Sequence, residues 1–142
     1  CLDNNVNYID WYELDPEIVE SCYRHLPKVC SKVKKSNTVN TFWGDAFESI
    51  KSVEDSKYDK IFVDLNDDQY CIDLTRKNMK GLKRILKPGG VITAQVGSKD
   101  KKPKQVENWC NVLEKSFGNV NVSGVYIPSF DCNWNFASSI MK

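Results

Sequence analysis

Stretches with the two-residue period of a β-strand alternate along this chain with stretches of helical period, and that alternation restricts its fold more than any other feature. Val6 to Leu14 is rich in β-branched and aromatic residues and reads as a strand. Asp15-Pro16 then supplies an N-cap acceptor followed by proline at the first helical position, and Ile18, Val19, Cys22 and Leu26 give that helix one apolar face. Lys28 to Asn37 reads as a basic, polar connection. Val39 to Trp43 is a second strand, closed by Gly44-Asp45 and followed by a short helix from Ala46 to Val53. Tyr58 to Leu65 (YDKIFVDL) is a third strand, apolar at its centre as a parallel strand covered on both faces should be. The spacing of Leu74, Met79, Leu82, Ile85 and Leu86 predicts a basic amphipathic helix from about Leu74 to Leu86, terminated by Pro88-Gly89-Gly90. Val91 to Val96 is a fourth strand, Lys104 to Phe117 a helix, and Val120 to Ile127 and Trp134 to Met141 two closing strands. The expected class is α/β, with a mostly parallel sheet and an antiparallel C-terminal strand pair.

At 142 residues the chain amounts to one domain at most. A net charge of +1 provides no field for nucleic acid or an anionic membrane, and no apolar run nears the roughly 20 residues that span a bilayer. The lysine cluster from Lys99 to Lys104 reads as a solvated loop before a helix. Cys1, Cys22, Cys30, Cys71, Cys110 and Cys132 are scattered, without a C-x-x-C pair, and His25 is the only histidine, which argues against a structural zinc site. With no signal-peptide pattern, the cysteines are expected to be reduced thiols in a cytoplasmic protein. The sequence opens on Cys1 rather than Met, so its start is expected not to be the natural N-terminus.

Ligands of open parallel α/β sheets bind at the carboxyl ends of the strands. Here three successive strand ends carry an acid. Glu13 ends the first, Asp45 follows the second, and Asp64 ends the third with Asp67 and Asp68 behind it. A carboxylate accepts two donors at once, which suits a ribose diol at Glu13. Asp45 suits an adenine amino group, and Asp64 and Asp67 suit a cationic amine. Two acids of this region have a plainer reading: Asp15 as an N-cap only, and Asp45 as the start of the helix at Ala46. Asp64 is the hardest to explain away, because a carboxylate on an apolar strand is costly unless something pairs with it. The expectation is that the three acids converge on one crevice.

An ordered series of motifs resembles the polyamine aminopropyltransferase family, the spermidine and spermine synthases. It runs Glu13-Leu14-Asp15-Pro16-Glu17-Ile18-Val19, His25-Leu26-Pro27, Gly44-Asp45-Ala46-Phe47 and Tyr58 through Asp67. It continues with Leu86-Lys87-Pro88-Gly89-Gly90-Val91, Ala94-Gln95, and Ile127-Pro128-Ser129-Phe130 with Trp134 and Phe136. Single pieces are common, and Glu-Leu-Asp occurs in many S-adenosylmethionine methyltransferases. The order is specific and covers essentially the whole chain. The Ile-Pro-Ser-Phe ending looks closer to thermospermine synthase and bacterial spermidine synthase-like proteins, and Phe130 stands where the family usually has a tyrosine touching the polyamine.

The resemblance implies a Rossmann-like, methyltransferase-type sheet. It implies aminopropyl transfer from decarboxylated S-adenosylmethionine as co-substrate to a polyamine, releasing methylthioadenosine, with no metal. Carried over by position, Glu13 would hold the ribose, Asp45 and Ala46 the adenine, and Asp64 would be the catalytic base. Asp67 would bind the polyamine, and Gln95 and Phe130 would line its pocket. The family's G-G-G-D-G loop, the central strand before it and its N-terminal β-hairpin domain have no counterpart in these residues. The gate after the aspartates, usually D-P-x-G-P-A, is here Asp67-Asp68-Gln69-Tyr70-Cys71. An N-terminally incomplete single domain over residues 1–142 is therefore expected, as a homodimer or in association with the missing segment, with neither nucleic acid nor membrane as partner. Two alternatives stay open: a methyltransferase of the same fold, and a catalytically degenerate domain serving as a binding or assembly subunit.

Overall fold

The computed structural model describes residues 6–66 and 68–142 and divides into two compact units, one ending at Ser52 and the other running from Val53 to Lys142. In the first unit, β1 (Ile9–Glu13) pairs in parallel with β2 (Val39–Trp43), with Ile9 opposite Val39 and Glu13 opposite Trp43. Between them lie α1 (Pro16–His25) and α2 (Pro27–Lys34). Asp15 caps α1 as expected, its carboxylate accepting the Glu17 N–H at 2.9 Å, with Pro16 in the first turn. Pro27 ends α1 and opens α2 for two reasons: its ring disfavours helical backbone at Leu26, and its missing N–H needs no acceptor in a first turn. The basic stretch after Pro27, expected as a connection, is therefore helical as far as Lys34. Of the apolar face expected on α1, Val19 is buried at 3% exposure, whereas Ile18 and Leu26 are more than half exposed.

The second unit is a four-stranded sheet ordered β3 (Tyr58–Val63), β4 (Leu86–Gly97), β6 (Cys132–Ile140), β5 (Asn121–Ile127). β3 and β4 are parallel, and β6 runs antiparallel to both β4 and β5. The crossover from β3 to β4 is α4 (Gln69–Ile85), and α5 (Pro103–Phe117) precedes β5. Ile72, Thr75, Met79, Leu82 and Ile85 form the buried stripe of α4, at helical spacing. On β4, Ile92, Ala94 and Val96 are fully buried, while the alternate residues Thr93 and Gln95 lie half-buried on the other face.

Three details differ from expectation. The helix begins at Gln69, because the carboxylate of Asp68 accepts the Cys71 N–H at 2.8 Å and starts it a turn early. The helix ends at Ile85, and Pro88-Gly89-Gly90 lies inside β4, where the register jumps from Tyr58 opposite Leu86 to Lys60 opposite Val91. A β-carbon at Gly90 would stand 2.8 Å from the Lys87 carbonyl oxygen, so glycine is required at this irregularity. The third difference is that β3 is not covered on both faces: Val63 is buried, but Phe62 is 60% exposed.

Two buried polar atoms, Thr75 Oγ1 and Trp109 Nε1, have no hydrogen-bond partner among the described residues. A buried hydroxyl without a partner carries its desolvation cost uncompensated. Thr75→Val keeps the shape and removes the hydroxyl, and should raise stability by about 1 kcal/mol in urea unfolding. A loss of stability would show that the hydroxyl is bonded in solution.

Candidate active site

In the first unit, Glu13 and Asp45 stand at the same end of one parallel pair. The Gly44 N–H donates to the Glu13 carbonyl at 2.9 Å, tying the turn that carries Asp45 to the end of β1. Gly44 has a φ of +119°, a backbone conformation that other residues rarely adopt, and so the chain can leave β2 sharply into α3 (Ala46–Ser49). Glu13 is half-buried and accepts the Asp15 N–H through Oε1 at 3.0 Å. Asp45 is exposed and accepts the Phe47 N–H through Oδ1 at 2.8 Å, so it does cap the helix. Each carboxylate keeps its second oxygen free of partners among the described residues. Capping and ligand binding are thus compatible at Asp45. Ala46, half-buried, opens α3 beside it.

In the second unit, Asp64 follows the last residue of β3, next in line to Val63, which lies opposite Ala94. It is exposed, and its carboxylate makes no hydrogen bond or ion pair among the described residues. The argument that a carboxylate here needs a partner therefore fails on its premise, since water reaches it. Gln95 is half-buried on β4, donates through Nε2 to the Leu65 carbonyl and accepts the Trp134 indole N–H through Oε1 at 3.1 Å. Phe130, in the 3₁₀ turn between β5 and β6, packs on Trp134 with ring centroids 4.6 Å apart. Asp64, Gln95 and Phe130 thus belong to one connected corner of this unit. Asp67 lies outside the described residues.

The expected gate residues Gln69, Tyr70 and Cys71 form the first turn of α4. Burial above all, then the Glu114 charge, raises the Cys110 thiol above its ordinary value, so it is no ready thiolate nucleophile. Among the described residues no three His, Cys, Asp or Glu side chains gather to hold a metal ion.

Residues 3–142 match the family model of the spermine/spermidine synthase domain. The chain belongs to that family. Among curated relatives, a polyamine aminopropyltransferase of Korarchaeum cryptofilum is 22% identical over 138 residues, 96% of this chain and 43% of the relative. A polyamine aminopropyltransferase of Prochlorococcus marinus (strain NATL1A) is 28% identical over 148 residues, 97% of this chain and 50% of the relative. The chain spans about half the length of the curated relatives it matches. Among solved structures, a spermidine synthase in complex with the transition-state analogue AdoDATO superposes with a TM-score of 0.84 at 15% identity, over 98% of this chain and 48% of the other. The spermidine synthase of Thermotoga maritima gives 0.83 at 15%, over 98% and 47%. The fold is thus the Rossmann-like, methyltransferase-type α/β fold of the spermidine synthases.

Within this spermine/spermidine synthase domain, the motif series includes Trp134 without assigning it a role. A half-buried indole on a strand usually finds an acceptor for its N–H, and that was the available signal. Nothing in the sequence pointed to the Leu65 carbonyl as the other partner of Gln95. Among the described residues no helix is long and apolar enough to cross a membrane.

Proposed function

We propose that this domain takes part in transferring an aminopropyl group from decarboxylated S-adenosylmethionine to a polyamine. The observation that supports this most is Asp64: an unpartnered carboxylate just beyond a parallel strand, beside the Gln95–Trp134–Phe130 corner. Polyamine amines are largely protonated near neutral pH and cannot attack in that state. In the proposed step Asp64 accepts a proton from the ammonium group. The freed nitrogen lone pair attacks the aminopropyl carbon next to the sulfonium, the carbon–sulfur bond breaks, and its electron pair leaves on sulfur as neutral methylthioadenosine. Removing the proton and holding the nitrogen in line with the departing sulfur are what the protein would contribute.

The second oxygens of Glu13 and Asp45 suit the hydrogen-bond donors of an adenosine, with the ribose diol assigned to Glu13 and the adenine amino group to Asp45 beside Ala46. Asp67 is assigned to the polyamine chain, and Gln95 and Phe130 to its surroundings. The reading includes residues 1–142 acting as one domain that is completed by a strand and glycine loop elsewhere in the polypeptide. A homodimer or such an association, and a cytoplasmic setting, go with it.

The test is incubation of the full protein with decarboxylated S-adenosylmethionine and spermidine or putrescine, followed by chromatography for methylthioadenosine and the extended polyamine. Both products are expected in equal amounts. Glu13→Gln should weaken methylthioadenosine binding about tenfold in calorimetry, since hydrogen bonds to a charged acceptor are worth about 1.5–3 kcal/mol. Absence of product together with absence of nucleoside binding would discard the transferase reading in favour of an assembly subunit.

A further inference from the structure

Three polar groups from separate elements meet beside Asp64. Gln95 of β4 donates to the carbonyl of Leu65, the residue after Asp64, and accepts from the indole of Trp134 on β6 at 3.1 Å. The partners dictate how this amide points. An indole nitrogen can only donate and a peptide carbonyl can only accept, so a flipped amide would set donor against donor and acceptor against acceptor. Phe130 packs on the indole at 4.6 Å, and Lys101 Nζ holds the Phe130 carbonyl at 3.0 Å, so the indole is itself braced. Asp64 has no tether of its own among the described residues.

We infer that Trp134 and Gln95 are positioning residues for Asp64: the indole sets the amide, the amide holds the Leu65 peptide, and that peptide fixes where the neighbouring carboxylate is presented. The inference rests on the reading of Asp64 as the acceptor of the amine's proton. It goes further by assigning Trp134 a role, and it gives Gln95 work to do through the backbone rather than by contact with substrate.

Gln95→Glu separates this brace from simple packing. A protonated carboxyl reproduces both bonds, its hydroxyl donating to Leu65 and its carbonyl oxygen accepting from Trp134. An ionised one has only acceptors and sets a negative oxygen against a carbonyl. The introduced carboxyl is therefore expected to titrate above the ordinary glutamate value of about 4.3. Its folded-state value being raised, the stability it supports is fully present below about pH 4.3 and lost as pH climbs through the raised value.

The full chain is compared with Gln95→Glu by thermal unfolding from about pH 4 to pH 8, and with Trp134→Phe by spermidine calorimetry at pH 8. The Gln95→Glu variant should match the parent at the acid end and fall behind as pH rises. Trp134→Phe removes the indole N–H and should lower spermidine affinity roughly threefold to tenfold, with shifts of the Leu65 and Asn66 amide resonances in ¹H–¹⁵N spectra. A pH-independent gap between Gln95→Glu and the parent, or unmoved Leu65 and Asn66 resonances in Trp134→Phe, overturns the brace. If the parent binds no spermidine while the pH-dependent melting and the resonance shifts occur, the amine reading falls and the brace stands. Should Trp134→Phe not fold, the Gln95→Glu titration decides alone.

Discussion

Asp64→Asn should lower the rate of aminopropyl transfer by roughly 10²–10⁴-fold, the usual contribution of a positioned acid or base. Asparagine matches aspartate in shape, and Asp64 is exposed without a partner among the described residues, so the variant should melt at the same temperature as the parent. A rate loss without a stability loss places the effect in the chemistry. Its pH dependence is a second check. An amine with a value near 10 is about tenfold more deprotonated for each pH unit gained below that value, so the variant should recover roughly tenfold per unit as solution takes over the proton. An unchanged rate at neutral pH, or a rate loss of the same factor at every pH, would remove Asp64 from the role of base.

Trp109→Ala should destabilise the protein by about 3–5 kcal/mol, the range for a large aromatic removed from a core. Trp109 is 1% exposed on α5, on the stripe that also buries Val106, Leu113 and Phe117. Trp109→Phe is the instructive companion. The indole N–H has no partner among the described residues, so its removal relieves an unsatisfied donor while the smaller ring leaves a modest void. A cost below about 1.5 kcal/mol is expected. Urea unfolding followed by circular dichroism measures both. A Phe variant as damaged as the Ala variant would mean that the indole nitrogen is bonded in solution.

Much of the architecture was legible because its signals are local. Asp15-Pro16 starts a helix wherever it occurs, and the stripe from Ile72 to Ile85 fits only one period. The strand ends bearing Glu13, Asp45 and Asp64 follow from the same punctuation, and each acid lies where its strand stops. What sequence could not supply were partnerships set by register. Gln95 meets Trp134 because β6 runs antiparallel to β4 with Phe136 opposite Gln95, and no spacing along the chain encodes that pairing. The helix after Pro27 is hidden in the sequence because its lysines mask the apolar spacing of Val29, Cys30 and Val33. Pro88-Gly89-Gly90 has the composition of a helix stop, whereas Leu86 already adopts extended backbone and the glycines serve an irregular strand. The exposure of Phe62 was missed because an apolar run reports composition, not which of its faces acquires a cover.

That exposed ring bears on the strand proposed above to complete the domain. Among the described residues β3 is hydrogen-bonded to β4 alone and presents Phe62 to water, an unpaired edge and an apolar surface of the kind that a completing strand and its neighbours would cover.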